Sequence, residues 1–201
     1  DTMYHYRLRE PGQTADLLEG SFRTARKAGQ PFRFTMTADS HLDQNTSTRL
    51  YRDTLHNIRQ RQPDFHFDLG DTFMTEKHAE PLTAVIAQPT SKATLDARYR
   101  YERANFGLLT HSAPLFLVNG NHDAELGWIW SGASVNKGLP INLATWASTA
   151  RYNYYVNPDP SSQAFYSGQS TQTENSGSGA PARNPAAWYS WTWGDALFVV
   201  L

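Results

Sequence analysis

The sequence predicts an α/β fold built on a parallel sheet, and three observations point to it. Three short runs, Phe32 to Ala38, Phe65 to Leu69 and Pro114 to Val118, are candidates for buried strands. Stretches with helical patterning separate each run from the next. Each run also stops at a polar turn: Asp39-Ser40-His41, then Gly70-Asp71, then Gly120-Asn121-His122-Asp123. Strand, helix, strand, helix, strand reads as two βαβ units with right-handed crossovers, so the three strands run parallel. The carboxyl ends of such strands share one edge of the sheet, where ligands bind. Asp39, His41, Asp71, Asn121 and His122, far apart in the chain, are expected to converge there.

Each element follows from local pattern. Tyr4 to Arg9 alternates like a strand and is closed by the turn signal Glu10-Pro11-Gly12; Ser21 to Ala25 is a second short strand. Two strands bury no core by themselves. They read either as a hairpin packed on the main domain or, the preferred reading, as the last strands of a β-sandwich. Residues 1–28 are then the remnant of that sandwich, and 29–201 belong to the main domain. Lys27 to Pro31 is a linker. Asn45 or Thr46 can cap a helix reaching about Gln62, with Leu50, Leu55 and Ile58 near one face and Pro63 beyond its end. A helical stretch broken around Pro81 and Pro89 resumes from Lys92 to Leu109. Beyond Asp123 the pattern weakens. Residues 157–187, rich in Ser, Gly, Gln, Thr, Asn and Pro, have the composition of a long surface loop. Trp188 to Trp193 alternates aromatic with polar, Gly194-Asp195 turns the chain, and Ala196 to Leu201 reads as an apolar core strand.

Composition narrows the chemistry. The formal net charge of -1 provides no field for nucleic acid as a bulk partner or for anionic lipid. The absence of cysteine excludes disulfides and thiolate zinc sites, leaving His, Asp, Glu and Asn as metal ligands. No apolar run approaches the ~20 residues that cross a bilayer. At the shared sheet edge, hard oxygens and borderline imidazoles suit Mn, Fe, Zn or similar ions. Asp-x-His projects two ligands from one turn, a carboxylate at the next strand end can bridge two ions, and an Asn carbonyl serves the second without adding charge. Two such ions can activate a hydroxide and neutralise a phosphoryl oxygen during in-line displacement.

Asp39-Ser40-His41, Gly70-Asp71 and Gly120-Asn121-His122-Asp123, in this order after successive strands, resemble the motifs of the calcineurin-like metallophosphoesterases. The resemblance implies an αββα sandwich with a dinuclear centre of two divalent or trivalent ions at its edge. It implies that Asp39 and His41 bind the first metal, Asp71 bridges and Asn121 binds the second. His122 would stabilise or protonate the leaving oxygen, and Asp123 would hydrogen-bond and orient its imidazole. The implied chemistry is hydrolysis of small phosphomonoesters or phosphodiesters. Some secreted members carry a fibronectin-like β-sandwich ahead of the catalytic domain, which matches the reading of residues 1–28 and implies a secreted or periplasmic protein.

The sequence also departs from the family. Purple acid phosphatases carry a metal-binding Tyr three residues after the bridging Asp, where this chain has Met74. A non-purple relative fits better. The family uses further histidines downstream, whereas His122 is the last of seven here. The sequence therefore reads as the N-terminal part of a catalytic domain, incomplete at both ends. The alternative is a non-catalytic module of the same fold that binds a phosphorylated ligand or a partner. A nucleotide-binding α/β module is more distant, because no Gly-rich loop follows the first strand. Trp128 and Trp130 are candidates to stack on an aromatic or nucleobase leaving group, although core or lid packing is the commoner use of Trp. Asp68 and His66 are expected to hydrogen-bond across the sheet or to face a wet edge rather than to bind metal, and His56, His78 and His111 to be surface residues.

Overall fold

The computed structural model describes residues 1–42, 46–72, 92–123, 143–160, 162–175 and 181–201. Strands β1 (Met3–Arg9) and β2 (Asp16–Arg23) form an antiparallel hairpin. Its turn follows the Pro-Gly signal, with Gly12 at φ 83° and Gln13 N–H donating to Glu10 O at 3.0 Å. β2 begins five residues before the expected Ser21, because Leu18 pairs with Leu8 and lengthens the ladder. The hairpin touches the rest of the chain through the Tyr6 hydroxyl, which donates to His111 O at 2.8 Å. Arg26 adds a tie by donating to Asp64 Oδ1 at 2.6 Å.

The α/β core follows in the expected order. β3 (Phe34–Thr37), β4 (Phe65–Asp68) and β5 (Leu115–Leu117) form a parallel sheet in the order β3-β4-β5. α1 (Thr48–Gln60) and α2 (Lys92–Thr110) are the crossovers. Both contribute to one apolar cluster, with Tyr51 and Leu55 from α1 and Leu95, Tyr99, Phe106 and Leu109 from α2. They therefore cover the same face of the sheet, as two crossovers of one hand in consecutive strand order must.

Two expectations for α1 are corrected. Its N-cap is Ser47, whose Oγ accepts from Leu50 N–H at 3.3 Å, while the Thr46 hydroxyl donates to Ser40 O at 2.9 Å. Asn45 lies outside the described residues. The inward face is Tyr51, Leu55 and Ile58, whereas Leu50 is 66% exposed. A 3.6-residue period through Leu55 selects Tyr51 rather than its neighbour.

Beyond the site the chain forms α3 (Leu143–Tyr154), which the sequence pattern did not disclose, and it packs on α2 through Ala147 and Ala150. The loop expected over residues 157–187 is also corrected. β6 (Ser167–Asn175) and β7 (Pro181–Trp193) pair antiparallel, and β8 (Ala196–Val200) pairs with β7 in the sheet order β6-β7-β8. Composition misled there, because pairing to a neighbouring strand overrides weak intrinsic preference.

The two sheets meet face to face. Phe65, Phe67 and Phe116 pack against Tyr189, Trp191, Trp193 and Val200, and the rings of Phe116 and Trp191 stack with centroids 4.1 Å apart. Period-two alternation explains both faces of β4: Phe65 and Phe67 point into this aromatic layer, while His66 and Asp68 point to the helices. β8 is one-sided rather than buried throughout. Val200 is 6% exposed, but Leu197 and Val199 are 65% and 58% exposed. Helices, parallel sheet and antiparallel sheet thus lie in layers among the described residues. No described helix is long and apolar enough to cross a membrane.

Candidate metal centre

The three motifs meet at the carboxyl edge of the parallel sheet, tied by backbone hydrogen bonds. Asp39 N–H donates to Gly70 O at 3.0 Å and His41 N–H donates to Asp71 O at 3.0 Å, which zips the turn after β3 to the turn after β4. His122 N–H donates to Asp71 Oδ1 at 2.8 Å, which fixes the third turn to the second.

Ligand-type atoms converge as a result. One atom each from Asp39, His41 and Asp71 lies within 4.8 Å of the other two. His41 Nε2 is 3.4 Å from Asp39 Oδ1 and 4.0 Å from Asp71 Oδ2. Two ligands each ~2.1 Å from one ion stand about 3–4 Å apart, so both separations suit a shared cation. The donor set of two carboxylates and an imidazole suits Zn, Mn or Fe. The His122 ring lies beside that of His41, with centroids 5.6 Å apart. Asn121 is exposed in the same turn, adjacent to His122. Trp128, Trp130 and Met74 lie outside the described residues.

Asp39, His41 and Asp71 share a further property, with φ values of 55°, 50° and 55°. The left-handed region costs L-residues of order 1–2 kcal/mol each, Asp and Asn less than most. Non-glycine residues held there collect at functional sites. The two glycines of the motifs have a separate reason. A Cβ on Gly70 would overlap Gly120 N and Asp123 Oδ2, and one on Gly120 would overlap the Asp71 carboxylate. The turns approach too closely for a side chain.

Asp123 has a different place from the one the resemblance implies. Its carboxylate is buried, and its hydrogen bonds among the described residues are to backbone rather than to the His122 imidazole. Oδ2 accepts from Asp71 N–H at 2.8 Å and Gly120 N–H at 2.6 Å, and Oδ1 accepts from Thr72 N–H at 3.4 Å. Arg151 of α3 reaches the same carboxylate, with Nη1 3.3 Å from Oδ1. Motif reading missed Arg151. Its one signal is spacing, four residues after buried Ala147 on the inward face of a helix.

Behind the edge lies a polar layer between sheet and helices. Asp68 Oδ1 accepts from Gly70 N–H at 3.0 Å and Oδ2 from the Thr37 hydroxyl at 3.0 Å, so Asp68 hydrogen-bonds as expected. Burial, assisted by the neighbouring Asp123 charge, pushes its carboxyl up to about 7. His66 sits between the Thr35 and Thr37 hydroxyls at 2.8 and 3.0 Å, and burial lowers its imidazole to about 4. Glu102 is fully buried against the Tyr51 hydroxyl, and burial pushes its carboxyl up to about 8.

No protein-family model matches the chain, and no curated protein matches it.

Proposed function

We propose that this chain carries the metal site of a phosphoric ester hydrolase of the calcineurin-like type, within an αββα sandwich. The observation that carries the reading is the convergence of Asp39, His41 and Asp71 within 4.8 Å at the end of two parallel strands. The third motif hydrogen-bonds directly to the second, which supports reading all three as one site.

In this reading Asp39, His41 and Asp71 would hold one ion, and Asp71 with Asn121 would serve a second. Bound metal supplies the Lewis acidity that activates water and offsets charge on the phosphoryl oxygens. The chain does the rest. Asp71 uses Oδ1 to hold the His122 backbone and keeps Oδ2 toward His41. The His122 imidazole stands at the rim beside His41, where it can pass a proton to a departing alkoxide. The exposed Asp39 side admits a small phosphomonoester or phosphodiester. Secretion or a periplasmic location belongs to the same proposal.

The test strips the purified protein with a chelator and assays bis(p-nitrophenyl) phosphate before and after adding Mn²⁺ or Zn²⁺. Restored hydrolysis is expected. Failure of either ion to restore it, in protein that remains folded, contradicts the proposal.

A further inference from the structure

Arg151 belongs to none of the sequence motifs, yet its side chain is 2% exposed. A guanidinium removed from water is costly unless a neighbouring charge offsets it, and Asp123 is the carboxylate beside this one. Both polar partners recorded for Arg151 lie in the turn after β5. Nη2 donates to Val118 O at 3.1 Å, and Nη1 is 3.3 Å from Asp123 Oδ1, an ion pair without hydrogen-bond geometry, so the pairing of Nη1 and of buried Nε is electrostatic rather than hydrogen-bonded among the described residues. The Tyr155 ring supports the guanidinium from one side, 5.9 Å from centroid to Cζ.

Asp123 passes this anchoring onward. Its two oxygens accept the N–H groups of Asp71, Thr72 and Gly120. The Asp71 residue so held fixes His41 through its carbonyl and His122 through Oδ1. Each link is a hydrogen bond or ion pair, and the chain runs from α3 to Asp71, His41 and His122. We propose that Arg151 is a positioning residue: its pair with Asp123 sets the place of the Asp71 carboxylate and, through it, of His41 and His122. Its consequence for metal affinity rests on the metal-site reading above; the positional consequence does not.

The test uses Arg151→Met, which keeps most of the side-chain volume and removes the charge, with Arg151→Lys as companion. Two quantities are read on the purified protein: amide hydrogen exchange by NMR and Mn²⁺ affinity by calorimetry. In Arg151→Met the amides of Asp71, Thr72 and Gly120 are expected to exchange faster, while those of Phe67 and Phe116 in the strands keep their rates. Mn²⁺ affinity is expected to fall roughly 10–100-fold, the usual cost of losing a group that orients metal ligands. Arg151→Lys, which keeps a charge without the fork, should lie between. If all slow amides accelerate together, Arg151 only stabilises the fold and the proposal is overturned. Unchanged Mn²⁺ affinity in folded Arg151→Met overturns it too. If the parent protein binds no Mn²⁺, the metal reading falls, and the three amides alone decide whether Arg151 positions the turns. Should Arg151→Met fail to fold, Arg151→Lys carries the same readings.

Discussion

The backbone N–H of His122 donates to Asp71 Oδ1 at 2.8 Å, so one carboxylate oxygen holds the third turn while the other faces His41 Nε2 at 4.0 Å. This division registers His122 against the Asp-His-Asp group without using its imidazole. It also separates the two jobs of Asp71, since an amide oxygen can accept the N–H but brings no charge. Asp71→Asn is therefore expected to keep most of the stability. Asp71→Ala leaves the half-buried His122 N–H without its protein acceptor and should cost about 0.5–1.5 kcal/mol more. Urea denaturation of the two variants at one pH checks this, and equal midpoints would remove the structural half of the role.

The close approach of the turns makes Gly120 irreplaceable in a way that Gly107 is not. Gly120→Ala drives a methyl group into Asp71, whereas a Cβ at Gly107, inside α2, meets nothing within 4 Å. Thermal melts should show Gly120→Ala destabilised by ~2 kcal/mol or more. Gly107→Ala should be stabilised by ~0.5–1 kcal/mol, the usual helix gain over Gly. Opposite signs are the expected result.

Glu102 gives stability a pH dependence. Its folded carboxyl is pushed up to about 8 by burial, from an ordinary value of 4.5. The unfolded chain therefore releases the proton first, and stability is lost as pH rises from 4.5 toward 8. His66 acts with opposite sign. Its imidazole is lowered to about 4, so the stability it contributes is present above 6.5 and is lost as pH falls toward 4. Between pH 6.5 and 8 the histidine has stopped changing and the parent protein should weaken as pH rises. Glu102→Gln should flatten this decline, leaving what Asp68, raised to about 7, still contributes. Denaturation midpoints across that window measure it.

The His122 ring lies beside that of His41, and on the proposed hydrolase reading it would pass a proton to the leaving oxygen. His122→Ala should slow esters with poor leaving groups by roughly 10²-fold or more and p-nitrophenyl esters far less. A flat dependence on leaving-group basicity would remove the acid role.

The parallel sheet and its edge were legible because strand-like run, helix and polar turn repeat, but the burial expected of the first run is corrected: Phe34 and Met36 of β3 are 38% and 58% exposed. The Lys92 helix began where the pattern placed it, and Asp39, His41 and Asp71 met as the strand ends required. What the sequence hid has physical causes. β6 and the first half of β7 have the composition of a loop and take strand form through pairing. Ser47 rather than Thr46 caps α1, and Thr46 instead donates to Ser40 O, a difference of one residue that the sequence pattern does not resolve. Asp123 belongs to the motif, but its carboxylate is directed to three backbone N–H groups by a turn geometry visible only in three dimensions. Arg151 is four residues from a buried Ala on a helix with little amphipathic signal, and nothing local marks it as the partner of Asp123.

The central claim, that Asp39, His41 and Asp71 together hold a metal ion, is tested most directly by calorimetric titration of Mn²⁺ into chelator-stripped protein beside Asp71→Asn. The expected result is saturable binding by the parent protein and a loss of at least roughly tenfold in affinity in a variant that melts close to it. Equal binding by the two folded proteins, or no binding by the parent, would contradict the claim.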